Sequence, residues 1–479
     1  MTPAQTEFVL YSGLRTIGGV IASVTYGKDR VFFEMGSAYD PKTDVFDGKV
    51  IGRRRSWLKD KLRLGIVPKL DGIFRREDLL GAEGVVSAED SPYNTAVLIT
   101  HLHLDHMAFM GMVSPDIPVY LHENAQKIER ALERVGLGIE TVERTYTPFQ
   151  PNVPIRIGAI EVLPILTNPK SYCDFAFLIT TPDGTIHWTG DLSLHGKHAD
   201  LTLKQMEILK EREIDVLLCD CTSFMDSVVD MIYGSYSPNA IVPEPDVPPG
   251  MLSEEDVESR LFAMLEAQTG LCVINFYERE MAEASRYIEW ASRTGRLCAF
   301  EPETAYLVYA FYGQPVHVYI PDSPRYPIDR SLQPGWLQEV LAACPVVTLE
   351  EVRRRPGGYL LQNSYPHILE LLDLPGEGGA YLHADGMPIG DFDPAYANLK
   401  RVIERTEFRY VTFFSQNYFG HGYPSQVKYF VDQVNPKVLI PCHSFQPERL
   451  LPKDGKQLLP KLGQTYVLRD GDLVEADDN

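Results

Sequence analysis

Apolar and polar positions alternate through residues 7–36, as in Val20-Ile21-Ala22-Ser23-Val24 and Arg30-Val31-Phe32-Phe33. A period of two belongs to half-buried strands, so two or three antiparallel strands are expected to open a sheet. Residues 40–95 lose that regularity, with one helix expected near Arg53–Leu64. The unbroken apolar run Ala96-Val97-Leu98-Ile99 reads as a buried strand, followed by a strand at Val119–Leu121 and a helix at Glu123–Val135. Ile155–Ile157 and Ile160–Leu166 read as strands. Phe175–Thr180 and Thr185–Trp188 read as a hairpin turned at Asp183-Gly184. A further buried strand spans Asp215–Cys219.

The pattern changes after residues 236–253, whose proline and acidic content marks a crossing between units. A helix at Glu254–Leu265, a strand at Leu271–Phe276, a helix at Glu278–Thr294 and a strand at Leu297–Phe300 form a βαβ alternation of their own. It runs to about residue 405 through Gly358–Gln362, Pro366–Leu372 and Ala380–His383. Strand–loop–helix units then resume with Tyr410–Phe414, a helix from Pro424 to Val434 and a short strand at Val438–Pro441. The expectation is an α/β chain with a first part at 1–235, an inserted α/β domain at 236–405 and a return segment at 406–479.

Chemistry concentrates at Thr100-His101-Leu102-His103-Leu104-Asp105-His106, just past the Ala96–Ile99 run. In extended chain, residues two apart face the same way, so His101 and His103 converge. Asp105 and His106 fall near the start of the next helix and face a second point close by. Imidazoles and a carboxylate in this density suit a borderline cation such as zinc. Downstream, Thr189-Gly190-Asp191, Asp220, His421 and His443 also lie just beyond strand ends, where ligands bind in layered α/β proteins.

The 479 residues are 44% hydrophobic and 23% charged, enough for an ample core in two or three domains. No apolar run approaches the ~18 residues needed to span a bilayer, so no membrane association and a cytoplasmic location are expected. The seven cysteines, Cys173 among them, are scattered and odd in number, which reads as reduced core residues rather than a disulfide framework. A net charge of −21 argues against broad nucleic-acid adhesion, while Arg53-Arg54-Arg55 and Arg353-Arg354-Arg355 are candidate local patches.

The His-x-His-x-Asp-His run resembles the signature of the metallo-β-lactamase superfamily. Asp220-Cys221-Thr222, Gly420-His421-Gly422 and Ile440-Pro441-Cys442-His443 are similar to the three further motifs of its β-CASP nuclease branch, with ribonuclease J-like proteins most similar. The resemblance implies an αββα sandwich with an inserted β-CASP domain. It implies one metal position at His101, His103 and Asp191, and a second at Asp105, His106 and His443, with Asp191 bridging. Asp220 would orient ligands, and His421 would contact the scissile phosphate or protonate the leaving oxygen. Zinc is implied, as one or two ions, with manganese an alternative.

One departure stands out. Where the family has another histidine before the 175–180 strand, this chain reads Thr167-Asn168-Pro169-Lys170-Ser171-Tyr172-Cys173-Asp174, which aligns Lys170 with the missing ligand. An ammonium ~4 Å from a dication is repelled by ~8 kcal/mol at an effective dielectric of 20. Lys170 must therefore turn away, be neutral, or replace the first ion and pair with Asp191, where it would also be a fixed charge for a substrate phosphate. One firm ion and one weak or absent ion are expected. The resulting expectation is a metal-dependent phosphodiester hydrolase acting on RNA or another single-stranded nucleic acid, with a homodimer possible. The alternatives are a degenerate relative that binds nucleic acid or a protein partner without cleaving, and a small-molecule metallo-hydrolase. Of the other histidines, His122, His317, His367 and His383 read as structural or exposed and His187 as core. His195 or His198 is placed near Asp191 by sequence alone.

Overall fold

The computed structural model describes residues 4–40, 42, 44–46, 50–139, 143–167, 174–233, 241–412 and 418–476. Among them the chain forms three seven-stranded sheets with helices around them, a mixed α/β architecture.

The first sheet grows from the alternating N-terminal segment. Thr6–Ser12, Ile21–Tyr26 and Asp29–Phe33 are antiparallel neighbours, and Asn94–Leu98 joins Asp29–Phe33 in parallel. Val119–Tyr120 closes one edge; the C-terminal hairpin of Thr465–Arg469 and Asp472–Glu475 extends the other. In the second sheet, Ile155–Ile157, Ile160–Leu166, Phe175–Thr181 and Gly184–Trp188 form an antiparallel meander. Val216–Asp220, Val438–Cys442 and Lys456–Gln457 continue it in parallel. The hairpin pairs Thr181 with Gly184, so its two turn residues are Pro182 and Asp183, one position earlier than the expected Asp-Gly turn.

Side-chain alternation explains how these sheets pack. Phe177, Ile179, Val216, Leu218 and Ile440 join one core with Phe8, Val24 and Phe32 of the first sheet. Leu178, Leu217, Cys219 and Leu439 face the other way, against Met206 and Leu209 of helix Ala199–Lys210 and Phe430 and Val431 of helix Pro424–Val434. Each fully buried aliphatic or phenylalanine side chain contributes roughly 1.5–3 kcal/mol, so a register slip of one residue is strongly disfavoured.

The third sheet is parallel throughout, in the order Val346–Val347, His317–Tyr319, Leu297–Phe300, Tyr359–Gln362, Cys272–Asn275, Ala380–His383, Arg409–Thr412. It is the βαβ unit expected after residue 253, with helices Glu254–Ala267 and Met281–Arg293 beside it. The strand expected at Tyr410–Phe414 departs from expectation. Arg409–Thr412 hydrogen-bonds to Ala380–His383, so it belongs to this third sheet rather than to the return segment that was to begin at 406; residues 413 and 414 lie outside the described residues. Short strands carry no local signal of which sheet they join. The segment Pro366–Leu372 is also not an α-helix but a 3-10 stretch, Tyr365–Leu372, kinked at His367.

Of the basic triplets, Arg53 pairs with Asp60, Arg353 donates to the Asp373 carbonyl and Arg354 pairs with Glu350. The six described cysteines are buried and unpaired; burial drives the Cys219 and Cys221 thiols well above their ordinary range, as expected of structural residues. Cys173 lies outside the described residues. No helix among the described residues is long and apolar enough to cross a membrane.

Candidate metal centre

The strands of the first two sheets that run in parallel release their chains at one rim. Asn94–Leu98 leads to Thr100 and His101, Gly184–Trp188 to Asp191, Val216–Asp220 ends on Asp220, and Val438–Cys442 leads to His443. Two departures from ordinary backbone turn side chains inward here. Glu34 and His443, each following a strand, have φ of 62° and 60°, the left-handed region that costs non-glycine residues of order 1 kcal/mol or more. Gly190 (φ 59°) lets the chain pass Phe175, whose carbonyl would lie 2.6 Å from an added Cβ. Gly36 lies so close to the histidine loop that its Cβ would fall 1.7 Å from the Asp105 carbonyl oxygen.

The rim gathers the sequence candidates around Asp191. His106 Nε2 lies 3.0 Å from Asp191 Oδ1 and 3.7 Å from Asp105 Oδ2. His101 Nε2 is 3.5 Å from Asp191 Oδ2, and His103 Nδ1 and His421 Nε2 are each 4.0 Å from it. His443 Nε2 is 3.0 Å from Asp105 Oδ2 and 3.8 Å from Asp191 Oδ1.

Four of these five rings hydrogen-bond to the protein through the other nitrogen, and only His106 does not. His101 Nδ1 meets the Thr100 hydroxyl at 2.9 Å, and His443 Nδ1 meets the Thr222 hydroxyl at 2.6 Å. His421 Nδ1 lies 2.8 Å from Asp220 Oδ2, and His103 Nε2 lies 2.9 Å from Glu280 Oε1. His106 Nδ1 lies 3.4 Å from Glu34 Oε1 without a hydrogen bond, and that oxygen accepts from Trp188 Nε1 at 2.8 Å and from the Thr100 hydroxyl. Such outer partners fix tautomer and ring orientation around metal ions. Asp220, fully buried, further accepts from the backbone N–H groups of Leu192 and Thr222 at 2.9 Å each. His195 Nε2 donates to the His421 carbonyl at 3.1 Å, so it supports that loop from behind.

The electrostatics follow from the crowding. Burial and the neighbouring His106 press the His101 proton affinity down, but Asp191 outweighs them and raises it. Against burial, Asp191 and Asp105 hold His106 well above the usual histidine range, and the hydrogen bond that His443 donates to Asp105 raises His443. Asp191 is held well below the carboxylate range by His106, His421 and His101, despite its burial. Burial and the adjoining His101 instead lower His103 to about 3.

These residues fit a cation. His101 Nε2, His106 Nε2 and Asp191 Oδ1 are buried and make no hydrogen bond, a costly state that a bound ion relieves. Donor atoms of His101, His106 and Asp191, of Asp105, His106 and His443, and of Asp191, Asp220 and His421 lie within 4.8 Å of one another in each group. Imidazole nitrogens and carboxylate oxygens suit zinc, manganese or iron in preference to a soft ion.

The structure therefore brings together His101, His103, Asp105, His106, Asp191, Asp220, His421 and His443. Lys170 lies outside the described residues. Sequence reading missed Glu34, Trp188 and Glu280, and assigned no role to Thr100 or Thr222. Glu34 carries one faint signal, an acid ending an apolar strand shortly before Gly36. Nothing local marks Glu280. Among the remaining histidines, His187 is core, with burial lowering it to about 3. His122 accepts from Asn124 N at a helix start, His367 contacts Glu301, and His383 contacts Gly386 and Tyr410.

No protein-family model matches the sequence, and no curated protein matches it. Among solved structures, the chain is similar to a protein of unknown function from Enterococcus faecalis V583, with a TM-score of 0.75 and 26% identity over 97% of this chain and 100% of that one. BJP-1, a subclass B3 metallo-β-lactamase of Bradyrhizobium japonicum, is matched over 45% of this chain and 77% of its own at 13% identity. That superposition, with a TM-score of 0.27, is too loose to bear on the fold.

Proposed function

We propose that this protein is a metal-dependent phosphodiester hydrolase of the metallo-β-lactamase β-CASP kind, acting on RNA before other polymers. The observation that carries the reading is the ring of imidazoles that converges on Asp191, four of the five braced by a hydrogen bond on the far nitrogen. When bound, a pair of divalent cations would acidify a water and offset charge on a phosphate during in-line displacement. His101, His103 and Asp191 would hold one, Asp105, His106 and His443 the other.

The protein's own groups supply the rest. Asp191 presents both oxygens to the imidazoles, which suits it to bridge two positions. His421, about a quarter exposed, projects Nε2 toward Asp191, with Nδ1 on Asp220. In that tautomer the Nδ1–H is donated to Asp220, so Nε2 faces the reacting centre. Protonated, it would give its proton to a departing alkoxide; neutral, it would accept from a hydroxyl.

The test is cleavage of labelled single-stranded RNA and DNA by wild-type and His421→Ala protein, with zinc or manganese and with chelator. The expected result is chelator-sensitive cleavage of RNA that His421→Ala slows by about 10²–10⁴-fold. Identical background from both proteins on both polymers overturns the nuclease reading and leaves a small-molecule hydrolase or a non-cleaving binder.

A further inference from the structure

We infer that Glu280 is a positioning residue through which the third sheet completes the metal centre of the first two. Its carboxylate holds His103 so that Nδ1 faces Asp191. The inference rests on the proposed metal site and deepens it, because Glu280 comes from none of the strands that carry the other candidate ligands.

The chain leaves strand Cys272–Asn275 at its C-terminal end and turns through Tyr277-Glu278-Arg279-Glu280 before helix Met281–Arg293. This turn grips the histidine loop at successive residues. Arg279, 3% exposed, places its guanidinium 3.5 Å from the Leu102 carbonyl, 2.8 Å from the Leu137 carbonyl and 3.6 Å from Glu129. Glu280, also 3% exposed, reaches His103 Nε2 at 2.9 Å, and the Tyr277 ring stands edge-on to the same imidazole at 5.4 Å.

The chemistry follows from the imidazole having two unlike nitrogens. A carboxylate oxygen has no proton to give, so Nε2 carries the hydrogen and Nδ1 keeps its lone pair. Nδ1 is the nitrogen that faces Asp191, 4.0 Å away. His103 thus presents the opposite nitrogen from His101, His106 and His443, and only a partner on the third-sheet side can brace it. Loss of such an outer partner typically weakens metal binding 10–100-fold. The position affected is the one shared by His101, His103 and Asp191, while the position at Asp105, His106 and His443 is braced through Thr222 on His443.

Metal-free full-length protein titrated with zinc, followed calorimetrically and by a competing chromophoric chelator, tests this in wild type, Glu280→Ala and Glu280→Gln. Circular dichroism and thermal melting establish that each variant is folded. The inference expects two binding steps in wild type. Glu280→Ala should weaken one step 10–100-fold and spare the other, and Glu280→Gln, whose amide oxygen still accepts from Nε2–H, should recover most of the loss. It is overturned by folded Glu280→Ala binding zinc as wild type does, by both steps weakening equally, or by Glu280→Gln being as impaired as Glu280→Ala. A single step in wild type that Glu280→Ala leaves unchanged overturns it as well, while the metal reading stands. Wild-type protein that takes up no zinc overturns the metal reading itself, and this inference with it.

Discussion

Asp220 accepts the Nδ1–H of His421 at 2.8 Å, and this single bond decides which face of that imidazole meets Asp191. The same carboxylate ties down Leu192 N and Thr222 N, and the Thr222 hydroxyl reaches His443 Nδ1 at 2.6 Å. One buried acid therefore orients two histidines, His421 directly and His443 through Thr222.

Asp220→Asn keeps the size and removes the charge, and its amide can offer a hydrogen to Nδ1 and so select the wrong tautomer. Turnover of a phosphodiester is expected to fall at least 10–100-fold. Weakened acceptance from two buried backbone N–H groups should cost about 1–3 kcal/mol of stability. Steady-state kinetics and denaturant melts of the same preparations separate the two effects. Unchanged kinetics would show that His421 needs no orienting partner.

Gly36→Ala should disrupt the centre from behind. Its Cβ would stand 1.7 Å from the Asp105 carbonyl oxygen, backbone that cannot swing aside as a side chain would. Overpacking of this kind costs about 1–3 kcal/mol and would displace Asp105 from His443. Metal stoichiometry by elemental analysis is expected to fall along with the melting temperature, whereas Gly36 and Asp105 are unlinked if only stability changes.

Chelation should lower the thermal stability of the whole protein, because donors buried without hydrogen bonds gain a partner only when a cation is present. A ligand at 1,000 times its Kd adds about 4 kcal/mol to the folded state. Differential scanning with chelator, and after adding back zinc or manganese, should show a loss of several degrees that the fitting ion restores. Protons compete for the same nitrogens, so the restoration should weaken as pH falls.

A pH effect is expected away from the centre, at His367. Burial alone would lower its proton affinity, but the hydrogen bond to Glu301 at 3.0 Å and the charge of that carboxylate raise it above the ordinary value. A raised histidine contributes stability that is complete below its unfolded value, about 6.5, and is lost as pH rises through the folded value. The melting-temperature gap between wild type and His367→Gln should therefore be widest near pH 6 and narrow toward pH 8 or above. A gap that widens with pH would mean that His367 is held neutral.

Much of this protein follows from residue order alone. Period-two alternation and apolar runs located strands such as Ile155–Ile157, Ile160–Leu166 and Val438–Cys442, because side-chain direction in a strand is a local property. The histidine loop, Asp191, Asp220, His421 and His443 were legible because imidazoles and carboxylates just past buried strands have few structural uses. Tertiary structure decided which sheet took Arg409–Thr412, whose four residues carry no mark of their partner. It also decided how most of the imidazoles are turned, since their far nitrogens bond to Asp220, Thr222 and Glu280 from distant segments. A residue's bonding type is written in its chemistry, but its partner depends on chain crossings hundreds of residues apart, and those are resolved only when the sheets pack.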